Sequence, residues 1–137
     1  MRIAICGSMI FTEKMFEVKG KLEKEGHIAL VSGFAERYVG KSEEEKVKLT
    51  LEDKNNHDAI KEFWEQINNS EAILVLNYNK KGINNYIGGN TLMEIGFAHV
   101  LDKKIFLLNP IPEIDFYKSE IEAVKPVIIN GDLSKIK

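Results

Sequence analysis

The chain has 137 residues, the size of one domain, with 44% hydrophobic and 29% charged residues and a formal net charge of −2. That balance allows a real core and excludes an overall basic field for nucleic acid or an anionic membrane; no run approaches the roughly 20 apolar residues of a membrane span. Cys6 is the only cysteine, so an internal disulfide and a cysteine-based zinc site are excluded, and Met1–Gly7 is too short an apolar stretch for a signal peptide, so a cytoplasmic protein is expected.

In chain order, Arg2–Cys6 is the first apolar run and reads as a strand. A helical pattern follows from Thr12 to Glu25, closed by Gly26, and leads to a second run at Ile28–Val31. Phe34 to Gly40 has no clear pattern and reads as either a mobile lid or a plain loop. Ser42 to Asn69 is mostly helical, opening with Glu43, Glu44 and Glu45 as a helix dipole prefers; Lys41–Lys54 reads as a solvated face. Its second part spaces Ile60, Phe63, Trp64 and Ile67 as an amphipathic face turned to the core. Ala72–Asn77 is the strongest strand, Lys104–Leu108 a fourth stopped by Asn109-Pro110, and Pro126–Ile129 a weak fifth before Asn130-Gly131. The central runs do not alternate polar with apolar, so both faces should be covered. The expectation is a single α/β domain, an open, mainly parallel five-stranded sheet with helices on both faces, Rossmann- or flavodoxin-like.

Ligands of such sheets bind beyond the carboxyl ends of the strands. Two segments there end a strand or loop and open a helix with small residues. Gly7 allows close backbone approach and Ser8 offers a hydroxyl and an amide to a phosphate or sugar oxygen, although an ordinary strand-to-helix turn would look the same. The second is Gly88-Gly89-Asn90-Thr91, after the long loop Tyr78–Ile87. Asn90 or Thr91 can cap the helix, and free amides at its start suit an anion. A shared nucleotide pocket at one edge of the sheet is the expectation.

Glu94 is the only Asp, Glu, Lys or Arg between Gly88 and Leu101, in a helix otherwise apolar nearly all round and therefore expected to be buried between layers. A carboxylate in such a place costs free energy unless paired, and buried acids gather at functional sites. The plainer reading is a structural glutamate or a first-turn acid favoured by the dipole. His27, His57 and His99 have no metal-like companions, and Cys6 reads as a small core residue; no metal and no cofactor are expected.

Taken together, Ile5-Cys6-Gly7-Ser8, the helix before Ser70-Glu71-Ala72-Ile73-Leu74-Val75, and Glu94-Ile95-Gly96-Phe97-Ala98 resemble the nucleoside 2-deoxyribosyltransferase superfamily, which includes the 2′-deoxynucleoside 5′-phosphate N-hydrolases. The resemblance runs from the opening strand to about Pro112. It implies that Glu94 is the nucleophile at the anomeric carbon, that Gly7 and Ser8 hold the sugar or its phosphate, and that Gly88, Gly89, Asn90 and Thr91 contact the same groups. It also implies a homodimer with residues of one subunit near the other's pocket. At the family's aspartate position on the helix before the third strand this chain has Phe63, and at the acidic position ahead of the nucleophile it has Gly88. Asp58 and Glu62, at i and i+4, are the nearest acids, and either is a candidate general acid. Gly88–Glu94 also looks like a shortened form of the "PGGxGTxxE" loop of nucleotide phosphoribohydrolases that resemble lysine decarboxylases. Both resemblances imply attack on an N-glycosidic bond of a nucleoside or nucleotide, by hydrolysis or transfer. A nucleotide-binding module that kept the fold without catalysis is the rival reading, favoured by Phe63.

Overall fold

The strands form where short runs of β-branched and aliphatic residues can be buried on both faces. The computed structural model describes Met1–Lys137 and contains β1 (Arg2–Cys6), β2 (Ile28–Leu30), β3 (Ala72–Val75), β4 (Lys104–Leu107) and β5 (Val127–Ile128). They make one sheet in the order β2-β1-β3-β4-β5, with every neighbouring pair parallel. This is an α/β flavodoxin-like fold, and its strand order reverses between β1 and β3.

Five helices surround the sheet: α1 (Thr12–Lys24), α2 (Glu43–Asn56), α3 (Ala59–Asn68), α4 (Gly89–Val100) and α5 (Lys118–Ala123). Alternate strand residues feed two cores. Ile3, Ile5, Leu74 and Leu76 pack with Met15, Val18 and Leu22 of α1. Ala4, Cys6, Ile73 and Val75 pack with Phe63 and Ile67 of α3, Ile95 and Ala98 of α4, and Ile121 of α5. All four residues of β3 are buried, which is why this run lacks polar alternation.

Several local expectations change in detail. β1 keeps its expected bounds, while the other four strands stop one or two residues early; beyond β3, Asn77 leaves the ladder and its side chain ties the two strand ends together. Its amide donates to Asn109 O (2.9 Å) and Pro110 O (3.0 Å), and its oxygen accepts from Asn109 N–H (2.9 Å). The helical stretch from Ser42 to Asn69 breaks at Asp58, which takes a left-handed conformation (φ 45°) and caps α3 by accepting from Lys61 N–H at 3.3 Å. Phe34–Gly40 is a packed element: Ala35–Tyr38 forms a 3₁₀ turn with Ala35 and Tyr38 buried. Nor is α2 only a solvated face. It begins with a Ser42–Glu45 capping box, yet Lys46 and Asp53 are buried, Lys46 paired with Glu13 and Asp53 with Arg37. The expected burial of α4 all round is also corrected. Its inner face packs, while Met93 and Val100 are 42% and 74% exposed.

Candidate functional site

The reversal of strand order opens a cleft beyond the carboxyl ends of β1 and β3. Gly7 leaves β1 with φ +153° and lies against the chain leaving β3; a Cβ there would stand 3.1 Å from Leu76 O. A side chain there would be strained by the backbone angle and would crowd that carbonyl. Ser8 then caps a short 3₁₀ turn, accepting from Ile10 N–H at 3.4 Å.

The other wall is the start of α4. Gly88 caps it without a side-chain bond, and Leu92 N–H makes the first bond back to Gly88 O (2.9 Å). The amides of Gly89, Asn90 and Thr91 precede that bond, giving this end of the helix a positive partial charge. The loop ahead of it is folded: Lys80 and Ile83 form an antiparallel bridge, and Tyr86 N–H bonds Tyr78 O at 2.9 Å. That turn aims two lysines at the cleft.

The cleft has two arms. An outer one, with about 220 Å³ of free space, is bounded by Gly7, Ser8, Gly88, Gly89, Asn90 and Thr91, with Lys54, Lys80 and Lys81. The two predicted turns thus face one space. Lys80 Nζ donates to Ser8 Oγ at 3.0 Å and stands 5.0 Å from the Tyr86 ring centre. Burial, then the neighbouring Lys81, holds the Lys80 ammonium below its ordinary pKa.

The inner arm, with about 50 Å³ of free space, reaches under the sheet edge to Cys6, Phe34, Tyr38, Asp53, Phe63 and Glu94. The outer arm falls a little short of the roughly 300–1,000 Å³ of small-ligand sites, and the inner arm is a narrow extension of it. Gly7, Met9, Thr50, Lys54 and Asn90 border both arms, so they form one continuous site. Glu94 is 6% exposed. Desolvation raises its pKa to about 8; the nearby Cys6 thiol, whose proton points to Ala4 O at 3.9 Å, and the Lys54 charge oppose the rise, while the Glu62 carboxylate adds to it. Asn90 Nδ2 donates to Glu94 Oε2 at 3.4 Å. Burial pushes the Cys6 thiol up as well, so it stays a neutral donor rather than a thiolate.

The two candidate acids sit differently. Asp58 is exposed, is occupied in capping α3 and does not border the cleft. Glu62 lies nearer, but Gly33 N–H (3.1 Å) and Gln66 Nε2 (3.2 Å) donate to its Oε1, and Ser32 Oγ reaches its Oε2 at 3.5 Å. It fastens the loop after β2 to α3. Asp53 was not singled out by sequence, because it lies inside a charged run that reads as solvated. It is 2% exposed, accepts from Tyr38 OH at 2.6 Å and pairs with Arg37. Lys54 was missed for the same reason; Lys80 and Lys81 lie outside that run, in the Tyr78–Ile87 loop, where two adjacent lysines ahead of the Gly88–Thr91 turn could have signalled them.

No group of three or more His, Cys, Asp or Glu side chains is placed to hold a metal, and no helix is long and apolar enough to cross a membrane. In comparisons with known proteins, no family model, no curated protein and no solved structure matches the chain.

Proposed function

We propose that the cleft binds a nucleoside 5′-monophosphate and that Glu94 acts at C1′ of its sugar, cleaving or transferring the N-glycosidic bond. The observation that carries this reading is the position of Glu94: a buried, desolvated carboxyl in an apolar arm that opens directly into a lysine-lined one. A phosphate suits the outer arm, where Lys54, Lys80, Lys81, Ser8 and the α4 amides supply positive charge and donors. A planar base enters the inner arm, which Phe34 and Phe63 line, with that narrow arm widening on binding. The pentose then spans the junction.

As the C1′–N bond breaks, its electron pair leaves with the base nitrogen, which takes a proton, and C1′ becomes oxocarbenium-like. The ionised Glu94 stabilises that charge or bonds to C1′ as a glycosyl ester. Water then releases the sugar phosphate and restores the carboxylate, or a second base takes the sugar. A carboxyl with a pKa of about 8 is mostly protonated in the free protein at neutral pH. Its ionised form is favoured as positive charge grows on the sugar, so its help is concentrated in the transition state. Of the acids ahead of β3, Glu62 is the one near enough to influence Glu94. A cytoplasmic homodimer belongs to the same reading, with the exposed apolar residues Met93 and Val100 of α4 available for contact.

Incubation with a panel of nucleosides and their 5′-monophosphates, with free base measured, tests the proposal. Release from monophosphates, lost in Glu94→Gln, is the expected result. A second reading, a nucleotide-binding module without turnover, is favoured by Phe63 at the family's aspartate position and by the bonds that occupy Glu62. Binding of monophosphates without release of any base would select it.

A further inference from the structure

One buried side-chain polar atom has no hydrogen-bond partner, and it is Asn90 Oδ1. An unpartnered buried acceptor forfeits its bonds to water without replacement, so such an atom beside a cleft calls for an explanation. Asn90 lies in the first turn of α4, borders both arms, and gives its amide nitrogen to Glu94.

The two ends of one planar amide are thus assigned separate tasks. The nitrogen can only donate, so it complements an ionised Glu94. A protonated Glu94 has an O–H to place and is better served by the amide turned over, with Oδ1 accepting. Whatever holds Oδ1 with a donor of its own therefore keeps the nitrogen on Glu94 and favours the carboxylate. The other groups around Glu94 are the Cys6 thiol from the end of β1, Glu62 from α3 and Lys54 from α2, with Asp53 and Tyr38 further along the same cavity. None of them has an unused atom of this kind.

We infer that Asn90 is a positioning and sugar-reading residue: its oxygen accepts a hydroxyl of the substrate's pentose while its nitrogen holds the Glu94 carboxylate, coupling sugar binding to ionisation of the nucleophile. The inference rests on the glycosidase reading above. The junction of the arms selects the donor, since a phosphate brings none when ionised and the base lies deeper. A pentose hydroxyl is the donor that a nucleotide carries at that depth.

Ribose 5-phosphate and inorganic phosphate are suitable probes, because neither depends on knowing the base. Asn90→Ala should weaken ribose 5-phosphate about tenfold, the loss of one to two hydrogen bonds, and leave inorganic phosphate affinity unchanged. In the wild-type protein, carbon NMR of the labelled Glu94 carboxyl should show a lower titration midpoint with ribose 5-phosphate than with inorganic phosphate. In Asn90→Ala that difference should vanish, with a circular dichroism spectrum like wild type. Equal ribose 5-phosphate affinity in the two proteins, or an unchanged midpoint difference, overturns the role of Asn90 while leaving the glycosidase reading standing. Failure of the wild-type protein to bind either ribose 5-phosphate or 2-deoxyribose 5-phosphate overturns the role of Asn90, while the glycosidase reading stands or falls with base release.

Discussion

The outer and inner arms of the cleft are built from opposite materials, yet burial acts on them in the same direction. The outer arm presents lysines and helix-end amides; the inner arm presents strand ends, two phenylalanines and carboxyls. Desolvation lowers the pKa of Lys80 in the first and raises that of Glu94 in the second. Both groups are moved toward neutrality, because a low-dielectric wall penalises charge of either sign. Each would recover its charge from a ligand of the opposite sign: a phosphate for Lys80, a developing oxocarbenium for Glu94. A molecule that is anionic at one end and becomes cationic a few ångströms away matches that asymmetry, and a nucleoside monophosphate undergoing C1′–N cleavage is such a molecule.

The sharpest way to break this comparison is to remove the charge from the inner arm. Glu94→Gln keeps shape and hydrogen-bonding capacity, so base release from a monophosphate should fall by roughly 10³-fold or more, as when a key transition-state stabiliser is lost, while nucleotide binding survives. Full activity in this variant would end the mechanism. In the wild-type protein, kcat/KM should rise with pH toward a plateau above about 8 if the free protein must ionise Glu94. A fall over that range would instead make Glu94 a proton donor.

Removing charge from the outer arm should give a smaller and different effect. Lys80→Ala deletes one charge-assisted contact, worth about 1.5–3 kcal/mol, so monophosphate affinity should drop by roughly 10- to 100-fold. Binding of the matching nucleoside, measured by calorimetry, should hardly change. An equal loss for nucleoside and nucleotide would place the phosphate elsewhere.

Stability gives a third contrast. The folded pKa of Glu94 lies near 8 against an ordinary value of 4.5, so between these values the folded chain holds a proton that the unfolded chain releases. Stability should therefore decline as pH rises through that window and level off above it, with no penalty below about 4.5. Glu94→Gln carries no such penalty. Its stability in urea should exceed that of wild type by a margin that grows from pH 5 to pH 9, reaching the order of a few kcal/mol. A constant difference across this range would mean that Glu94 is less desolvated than its place in the cavity implies.

The fold was largely legible because its signals are local and repeated. Runs such as Ala72–Val75 are apolar without alternation, and a parallel sheet covered on both faces is the economical solution for them. The two turns could be located for the same reason: small residues mark the change from a strand or loop to a helix. The inner arm was harder to read. Asp53 and Lys46 sit in the most charged stretch of the chain, and only the packing of α2 against the first 3₁₀ turn, Tyr38 and Arg37 decides which of its charges are buried. Helical spacing could not reveal this, because the partners come from other elements. The all-round apolar pattern of α4 misled in the opposite direction, since the pattern cannot say whether a second layer exists to cover Met93 and Val100.

Asp58 offers the smallest effect and separates a structural acid from a chemical one. It takes φ 45°, a conformation that Asn and Asp tolerate better than most residues, and its carboxylate accepts from Lys61 N–H at the start of α3. Asparagine can adopt the same conformation and still accept that bond. Asp58→Asn should therefore stay within about 0.5 kcal/mol of wild-type stability in urea unfolding, whereas Asp58→Ala, which loses the cap and disfavours positive φ, should cost about 1–2 kcal/mol. Neither change should alter base release once the folded fraction is matched, because the residue does not border the cleft. A loss of turnover in Asp58→Asn at wild-type stability would mean that α2 and α3 rearrange on binding and carry this carboxylate to the base. The same measurement on Glu62→Gln then asks the question of the acid that already stands close to Glu94, with the Gln66 amide as the neighbour most directly disturbed.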